Sequence, residues 1–342
     1  MNALLIGFGN VARRLCEILA DRSSYPGLAN LEVSVVAITT RSHGALYNRS
    51  GINLAGALAV FERRGGFTAD LPDFARLDAA TAIRTIDCDV VVELTPLNVA
   101  AKGEPAISHV RAALRRGRHV VTANKGPLAW GYAELTAAAH AGGCELLHEA
   151  TVMDGAPVFN LARHCLCGNT ILRIDGVLNS TTNVVLGEME RGAGLEEAVD
   201  SARKLGVVEA DPAHDLDGWD AAVKIAVLAN ALMGGTLRPE EVERESVTTA
   251  IRERIARARA VGRRVKMVCE VWREDAALRG RVAARELSPE DPFGRVEGTT
   301  SVIRFSTDVL GTLMITEEAP DLATTAYGVL GDLLALVEPR AR

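Results

Sequence analysis

The chain has no surplus of basic residues. Lysine and arginine number 38 against 44 aspartates and glutamates, for a formal net charge of −6. A nucleic-acid or anionic-membrane partner is therefore not expected, because covering phosphates takes an excess of cations. Long apolar runs are missing too. Met1–Ile6 gives way at once to Gly7, too short for the core of a signal peptide. No segment approaches the roughly 20 apolar residues that a membrane span needs. Cysteines are few: Cys16, Cys88, Cys144, Cys165, Cys167 and Cys269, mostly in apolar segments. That usage reads as reduced, buried thiols in a cytoplasmic protein. No second ligand pair at zinc-finger spacing follows His164, Cys165 and Cys167, so a zinc site is not expected. Low-complexity tracts and internal repeats are absent. What is present is 342 residues, 48% hydrophobic and 24% charged, the profile of an ordinary globular protein of one large or two medium domains. One basic stretch stands out, Arg252, Arg254, Arg257, Arg259, Arg263 and Arg264, with Glu240, Glu241, Glu243 and Glu245 upstream. Its expected form is a solvated, salt-bridged helical face.

Residues 1–150 alternate short apolar runs with helical stretches. Strands are expected at 3–6, 33–38, 89–94, 119–122 and 144–148, and helices after Gly9, near 102–116 and near 128–141, the last two ended by Gly117 and Gly142-Gly143. These strands are continuously apolar, as strands covered on both faces are. The rhythm predicts an α/β fold with a Rossmann-type doubly wound parallel sheet. Beyond residue 150 helices are expected near 156–166, 182–190, 195–205, 218–233 and 247–260, with strands at 171–178, 265–272, 280–286, 299–305 and 309–315. This more segregated order predicts an α+β second domain with a mixed sheet, spanning 151–320. An apolar helix within 321–342 is placed to return to the first domain.

Gly7-Phe8-Gly9-Asn10-Val11-Ala12 reads G-x-G-x-x-A between a strand and a helix. Gly7 permits the tight turn, Gly9 lets main chain approach a pyrophosphate, and Ala12 lets helix and strand pack closely. Amide groups at the helix start then hold the phosphates. After the second strand comes Thr39-Thr40-Arg41-Ser42-His43, with no carboxylate for a ribose 2′-hydroxyl. Arg41 is instead a candidate for the 2′-phosphate of NADP, with Thr40 or Ser42 adding hydrogen bonds; NAD is the alternative cofactor.

The segment from Glu209 to Lys224 crowds carboxylates before a helix start: Glu209, Asp211, Asp215 and Asp217. Asp220 and Lys224 are four apart and share one helical face. An apolar stretch follows, so the pair can be partly buried, which positions a lysine for proton transfer. A plain surface ion pair has the same spacing.

The stretch Gly-Val-Val-Glu-Ala-Asp-Pro followed by Asp-Leu-Asp-Gly-Trp-Asp-Ala-Ala-Val-Lys resembles the signature of homoserine dehydrogenases. Val121–Leu128, Glu149–Val152, Asn179–Asn183 and Asp291–Phe293 agree with it in order. The resemblance implies a reversible, NAD(P)-dependent reduction of L-aspartate 4-semialdehyde to L-homoserine, and a homodimer assembled through the second domain. It gives Lys224 the role of general acid and base, Asp220 that of orienting lysine and substrate, Glu209 the substrate ammonium, and Thr181 the amino-acid end. Lys125 would lie near nicotinamide and substrate as a second candidate for proton transfer, and Thr95 would line the cofactor crevice. The resemblance further implies a structural monovalent cation such as sodium, held by Glu149 with main-chain oxygens of Val152, Asp154 and Ala156. Those three alternate, so an extended segment would turn their carbonyls to one side.

Three departures from the family pattern stand out. Ser180 replaces a glycine at the substrate end, Met153-Asp154 replaces a smaller pair, and Glu317–Asp321 replaces a glycine-rich turn that approaches the cofactor. A related dehydrogenase of another small amino or hydroxy aldehyde is one alternative, and a non-catalytic NADP-binding sensor another. No cysteine sits in a nucleophile's turn, which argues against aspartate-semialdehyde dehydrogenase. A regulatory domain after the last helix is not expected, nor is threonine feedback through one.

Overall fold

A computed structural model describes residues 1–28, 30–206 and 212–337. The chain forms two compact units: Met1–Pro127 with Gly131–Pro157 and Leu322–Arg342, and Leu128–Trp130 with Val158–Asp321.

The first unit runs β1 (Asn2–Ile6), α1 (Asn10–Ala20), β2 (Ser34–Thr39), β3 (Ala45–Tyr47), α2 (Leu54–Arg64), β4 (Phe74–Ala75), α3 (Ala79–Thr85), β5 (Val90–Glu93), α4 (Ala106–Leu114), β6 (His119–Thr122), α5 (Gly126–Gly142) and β7 (Leu146–Leu147). Its seven-stranded sheet has the order β4-β3-β2-β1-β5-β6-β7. β2, β1, β5, β6 and β7 are parallel, and β3 and β4 join antiparallel at one edge. Val90, Val91 and Val92 are fully buried, and so are Leu4 and Leu5, as central parallel strands require. The order reverses at β1, and a doubly wound sheet opens its ligand crevice at that switch point, beyond the carboxyl ends of the strands.

The second unit runs α6 (Val158–Cys165), β8 (Ile171–Val177), α7 (Ser180–Arg191), α8 (Leu195–Lys204), α9 (Ala213–Leu216), α10 (Trp219–Leu232), β9 (Glu243–Arg244), α11 (Ile251–Ala260), β10 (Arg264–Glu274), β11 (Ala277–Leu287), β12 (Ser301–Thr307) and β13 (Thr312–Glu317). Its sheet has the order β13-β12-β8-β10-β11-β9 and is antiparallel except for β9 beside β11. The chain then re-enters the first unit as α12 (Leu322–Val337), whose Ala326, Val329, Leu330 and Leu333 join the core that contains Leu15 and Leu19 of α1.

Some boundaries differ from expectation for local reasons. The helix expected over 102–116 begins only at Ala106, because Lys102 and Gly103 take left-handed φ values of 51° and 84°. The last strand starts at Thr312, not 309, because Gly311 (φ 84°) closes the hairpin and sets Ser306 opposite Thr312. β3, α2, β4 and α3 fill a stretch for which the sequence reading names no element. α2 does carry its signals there: the Asn53 side chain accepts from Gly56 N, and Gly65 (φ 73°) ends the helix. Cys165 and Cys167 are exposed, whereas the other four thiols are buried as expected. They end a short helix and its following turn rather than entering the core.

Candidate active site

In the first unit, Gly7 has φ 97°, and a methyl group there would lie 2.7 Å from the Leu94 carbonyl oxygen. Only glycine fits at this turn. Gly9 caps α1 with extended backbone, and a methyl group on it would meet nothing within 4 Å. That open space in front of the first turn of α1 is where main-chain amides can face a pyrophosphate. Asn10 and Val11 begin the helix, and Ala12 is buried against the sheet. The Phe8 ring is core, stacked edge-on with Phe61 at 5.0 Å and tilted against Phe67 at 5.3 Å, so Phe8 has only main chain to offer a cofactor.

Around this loop lies a cleft of about 1020 Å³ whose walls include Gly7–Gly9, Thr39–Ala45 and Leu94–Asn98. Arg41 and Thr95 both line it. Thr40 shapes its loop: the hydroxyl donates to Gly44 O (2.8 Å) and accepts from His43 N (2.7 Å). Thr95 donates to the fully buried Glu93 carboxylate, and Asn124 Nδ2 donates to Thr95 O at 2.9 Å. Lys125 stands between Asn124 and α5 as the N-cap residue, just past the carboxyl end of β6. Sequence reasoning missed Arg13, Arg76 and His109, which line the same cleft. Arg13 did carry a signal, since it follows the G-x-G-x-x-A loop directly on the first turn of the helix. Its buried Nε and the buried Thr39 hydroxyl have no hydrogen-bond partner among the described residues. Unmet polar groups in a cleft of this size suit a bound dinucleotide.

In the second unit, α7 and α10 bring their amino-terminal ends together around a polar cluster. Gly218, the N-cap of α10, has φ 74°, a conformation that suits glycine and turns the chain from α9 into α10. Lys224 Nζ lies 3.7 Å from Asp220 Oδ2 and donates to Leu178 O at 2.5 Å. The two side chains are 14% and 19% exposed, so the pair is half-buried and not a plain surface contact. Asn179 caps α7 by accepting from Thr182 N (2.8 Å), while its Nδ2 donates to Asp215 Oδ1 (2.8 Å) and Asp220 Oδ2 (3.0 Å). Thr181 Oγ1 donates to Asp215 Oδ2 at 2.9 Å. Burial, then the nearby Asp220, raises the Asp215 carboxyl above the usual carboxylate range; hydrogen bonds from Asn179 and Thr181 and the Lys224 charge pull it back. Asp215 and Asn179 complete this cluster, and their part in it depends on separations of 34 to 41 residues that spacing rules do not see. Ser180 turns its hydroxyl to Thr299 O at 3.2 Å. Glu209 lies outside the described residues.

The expected cation segment needs correction. Glu149–Thr151 form a 3₁₀ turn, Val152 is helical, Asp154 has φ 41°, and Ala156 N donates to Met153 O at 2.8 Å. The segment is a turn and not extended, so alternation does not align its carbonyls. Its conformation is fixed from outside: the Asp332 carboxylate accepts from Glu149 N (2.8 Å), and Asp154 Oδ1 accepts from Thr325 Oγ1 (2.7 Å). A buried carboxylate, Glu149, beside main-chain oxygens is still a donor set of the oxygen type that hard cations take. No group of three or more His, Cys, Asp or Glu side chains placed for a metal exists among the described residues.

Burial pushes the Cys269 and Cys16 thiols up to about 12 and Cys88 to about 11. None of these is a thiolate nucleophile near neutral pH. A dinucleotide crevice in one unit and a lysine held against a carboxylate in the other are parts of hydride-transfer chemistry, and the class is that of nicotinamide-dependent oxidoreductases. Comparison with known proteins narrows it. Residues 7–149 match the family described as homoserine dehydrogenase, NAD binding domain, and residues 157–334 match homoserine dehydrogenase. The chain is 35% identical over 336 residues to a homoserine dehydrogenase of Methanocaldococcus jannaschii, covering 98% of each. It is 34% identical to the NAD(+)-dependent homoserine dehydrogenase of Pseudomonas canavaninivorans, covering 99% of this chain and 96% of that one. Among solved structures it resembles a hyperthermophilic archaeal homoserine dehydrogenase in complex with NADPH, at 31% identity and a TM-score of 0.83, over 100% of this chain and 99% of the other. The chain belongs to the homoserine dehydrogenase family. No helix among the described residues is long and apolar enough to cross a membrane.

Proposed function

We propose that the chain interconverts L-aspartate 4-semialdehyde and L-homoserine with NADP(H), and that Lys224 moves the proton. The observation that carries this reading is the Lys224 ammonium, fixed by Leu178 O and Asp220 and half-buried beside Asp215. When bound, a nicotinamide would supply a hydride for the aldehyde carbon. Lys224 Nζ gives a proton to the carbonyl oxygen as that carbon is reduced, and the product is the alcohol. In the reverse direction neutral Lys224 takes the hydroxyl proton. Asp220 keeps the ammonium aimed. Thr181 and Glu209 serve the amino-acid end, where a carboxylate suits the substrate's ammonium. Lys125, past the end of β6, is the second candidate for the proton.

Gly7, Phe8, Gly9, Asn10 and Val11 offer main chain to the pyrophosphate, Thr95 lines the crevice, and Arg41 binds the 2′-phosphate. Arg41 and the missing carboxylate after β2 support NADP over NAD. A monovalent cation at Glu149, Val152, Asp154 and Ala156 would be structural, because the proton and hydride transfers need no Lewis acid. The working form is a homodimer in the cytoplasm, assembled through the second unit and serving threonine and methionine biosynthesis.

The test is turnover of homoserine by the purified protein at alkaline pH, following reduction of NADP⁺ and NAD⁺ separately. A folded sample that binds NADPH yet turns over homoserine with neither cofactor defeats this reading in favour of a sensor. Ser180, standing where the family has glycine, favours one further arm: other small amino and hydroxy alcohols. A better kcat/KM on one of them would move the assignment to a related dehydrogenase.

A further inference from the structure

The arginines of the 252–264 stretch do not all behave as a salt-bridged face. Arg254 pairs with Glu245 (3.1 Å) and Glu286 (3.3 Å), Arg257 approaches Glu253 (3.9 Å), and Arg264 pairs with Glu297 (2.6 Å). Arg259 and Arg263 have no carboxylate partner among the described residues. Both line a second cleft of about 370 Å³, built wholly within the second unit. Its volume lies within the usual range for small-molecule sites.

Lys266 of β10 forms part of its wall and is 1% exposed. Its Nζ donates to Asn183 Oδ1 (2.9 Å) and Val296 O (2.6 Å). An ammonium has three donors, so one has no acceptor among the described residues, and no carboxylate there lies within ion-pair distance. A buried ammonium with no carboxylate in contact is costly; burial lowers the Lys266 pKa, and the charges of Glu190 and Glu297, acting from beyond ion-pair distance and opposed by Arg264 and Arg191, do not restore it. The carboxylates of this cleft are already engaged. Glu188 pairs with Arg191 (2.7 Å), Glu297 with Arg264, and Glu190 Oε1 accepts from Val265 N (3.0 Å). Helix-end carbonyls are engaged too, since Arg259 donates to Glu190 O (2.9 Å) and Gly262 N to Arg259 O (3.0 Å). What this cleft has to spare is therefore cationic donors.

We propose that this cleft binds a small oxyanion, a metabolite bearing a carboxylate or phosphate group, with Lys266 beneath it and Arg263 and Arg259 at its mouth. An anion there supplies a counter-charge in direct contact with Lys266, which Glu190 and Glu297 provide only from a distance, and completes its third hydrogen bond. Asn183 joins Lys266 to α7 and also donates to Gly298 O (2.9 Å), so the ligand would brace the contact between that helix and the 296–298 loop.

The test uses the full chain saturated with NADP⁺, so that phosphate-binding groups of the cofactor crevice are occupied. Isothermal titration calorimetry is run with inorganic phosphate and, separately, with succinate, which tells a phosphate site from a carboxylate site. The expected result is saturable 1:1 binding of at least one probe, weakened about fivefold or more by Arg263→Ala, in line with one lost charge-assisted hydrogen bond. Lys266→Met abolishes it. Buffers of different ionisation enthalpy reveal proton uptake on binding above the lowered lysine pKa. Arg263 is exposed, so its variant stays folded and decisive even where Lys266→Met does not. Absence of saturable binding by both probes overturns the proposal, as does unchanged affinity in Arg263→Ala, which means an adventitious ion only.

Discussion

Lys224 donates to the main-chain oxygen of Leu178 at 2.5 Å and leaves its carboxylate neighbour Asp220 at 3.7 Å. A carbonyl cannot accept the charge of the lysine but can hold its direction, so the proton on Nζ keeps a fixed donor position. Removing that donor should be costly in one way only. Lys224→Ala is expected to lower kcat by about 10²- to 10⁴-fold, the usual worth of a positioned general acid or base. NADPH binding, followed by cofactor fluorescence, should be unchanged. Lys125→Ala, assayed alongside, decides between the two lysines: the larger fall in kcat marks the proton donor.

Asp215 gives a prediction in pH. Its carboxyl is raised by burial and by Asp220, so the folded chain holds that proton more tightly than the unfolded one. Its contribution is then favourable at acid pH and is lost as pH climbs from the ordinary carboxylate value through the raised one. Asp215→Asn removes this titration. Thermal melts should show the variant gaining stability relative to the native chain between mildly acid and neutral pH. A difference in Tm that stays constant over that range would mean that Asp215 ionises normally.

Arg41 offers a test of cofactor choice. It lines the crevice beyond β2 with no carboxylate beside it in sequence. Arg41→Ala should raise KM for NADP⁺ by about 10- to 100-fold, the loss of a charge-assisted contact to phosphate of about 1.5–3 kcal/mol. KM for NAD⁺, which lacks the phosphate, should move little. An equal rise for both would assign Arg41 to the shared pyrophosphate.

The parts of this site that were legible in the sequence are local. Gly7–Ala12 announce a strand–turn–helix because each residue type meets a steric demand within one turn, and Asp220 and Lys224 are one helical turn apart. The parts that were not legible are assembled from a distance. Leu178 contributes a backbone oxygen, which no residue type advertises, and Asn179 reaches Asp215 and Asp220 only once the start of α7 lies against α9 and α10. The 152–156 segment misled for a related reason. Alternation implies a common side only in extended chain, and the left-handed Asp154 breaks that condition in a way its composition does not reveal. The fold followed the same division, since buried parallel strands are visible as apolar runs and the two- and three-residue edge strands β3 and β4 are not.

The turn before α12 carries a final prediction. Where the family resemblance implies glycines, this chain has Glu317–Asp321, and Ala319 takes φ 45° with its amide donating to Thr300 Oγ1 at 3.1 Å. The backbone thus adopts a left-handed conformation with an L side chain in place, at a cost of about 1–2 kcal/mol. Ala319→Gly removes that cost and returns part of it as extra unfolded-chain entropy, about 0.5–1 kcal/mol. The net gain should be about 0.5–1 kcal/mol. For a chain of this size that raises Tm by about 1–3 °C. Calorimetry should find the rise with the hydrogen bond to Thr300 retained, so Thr300→Val should cost the same in both backgrounds. A fall in Tm on Ala319→Gly would mean that the turn is not strained and that alanine's stiffness is what this position needs.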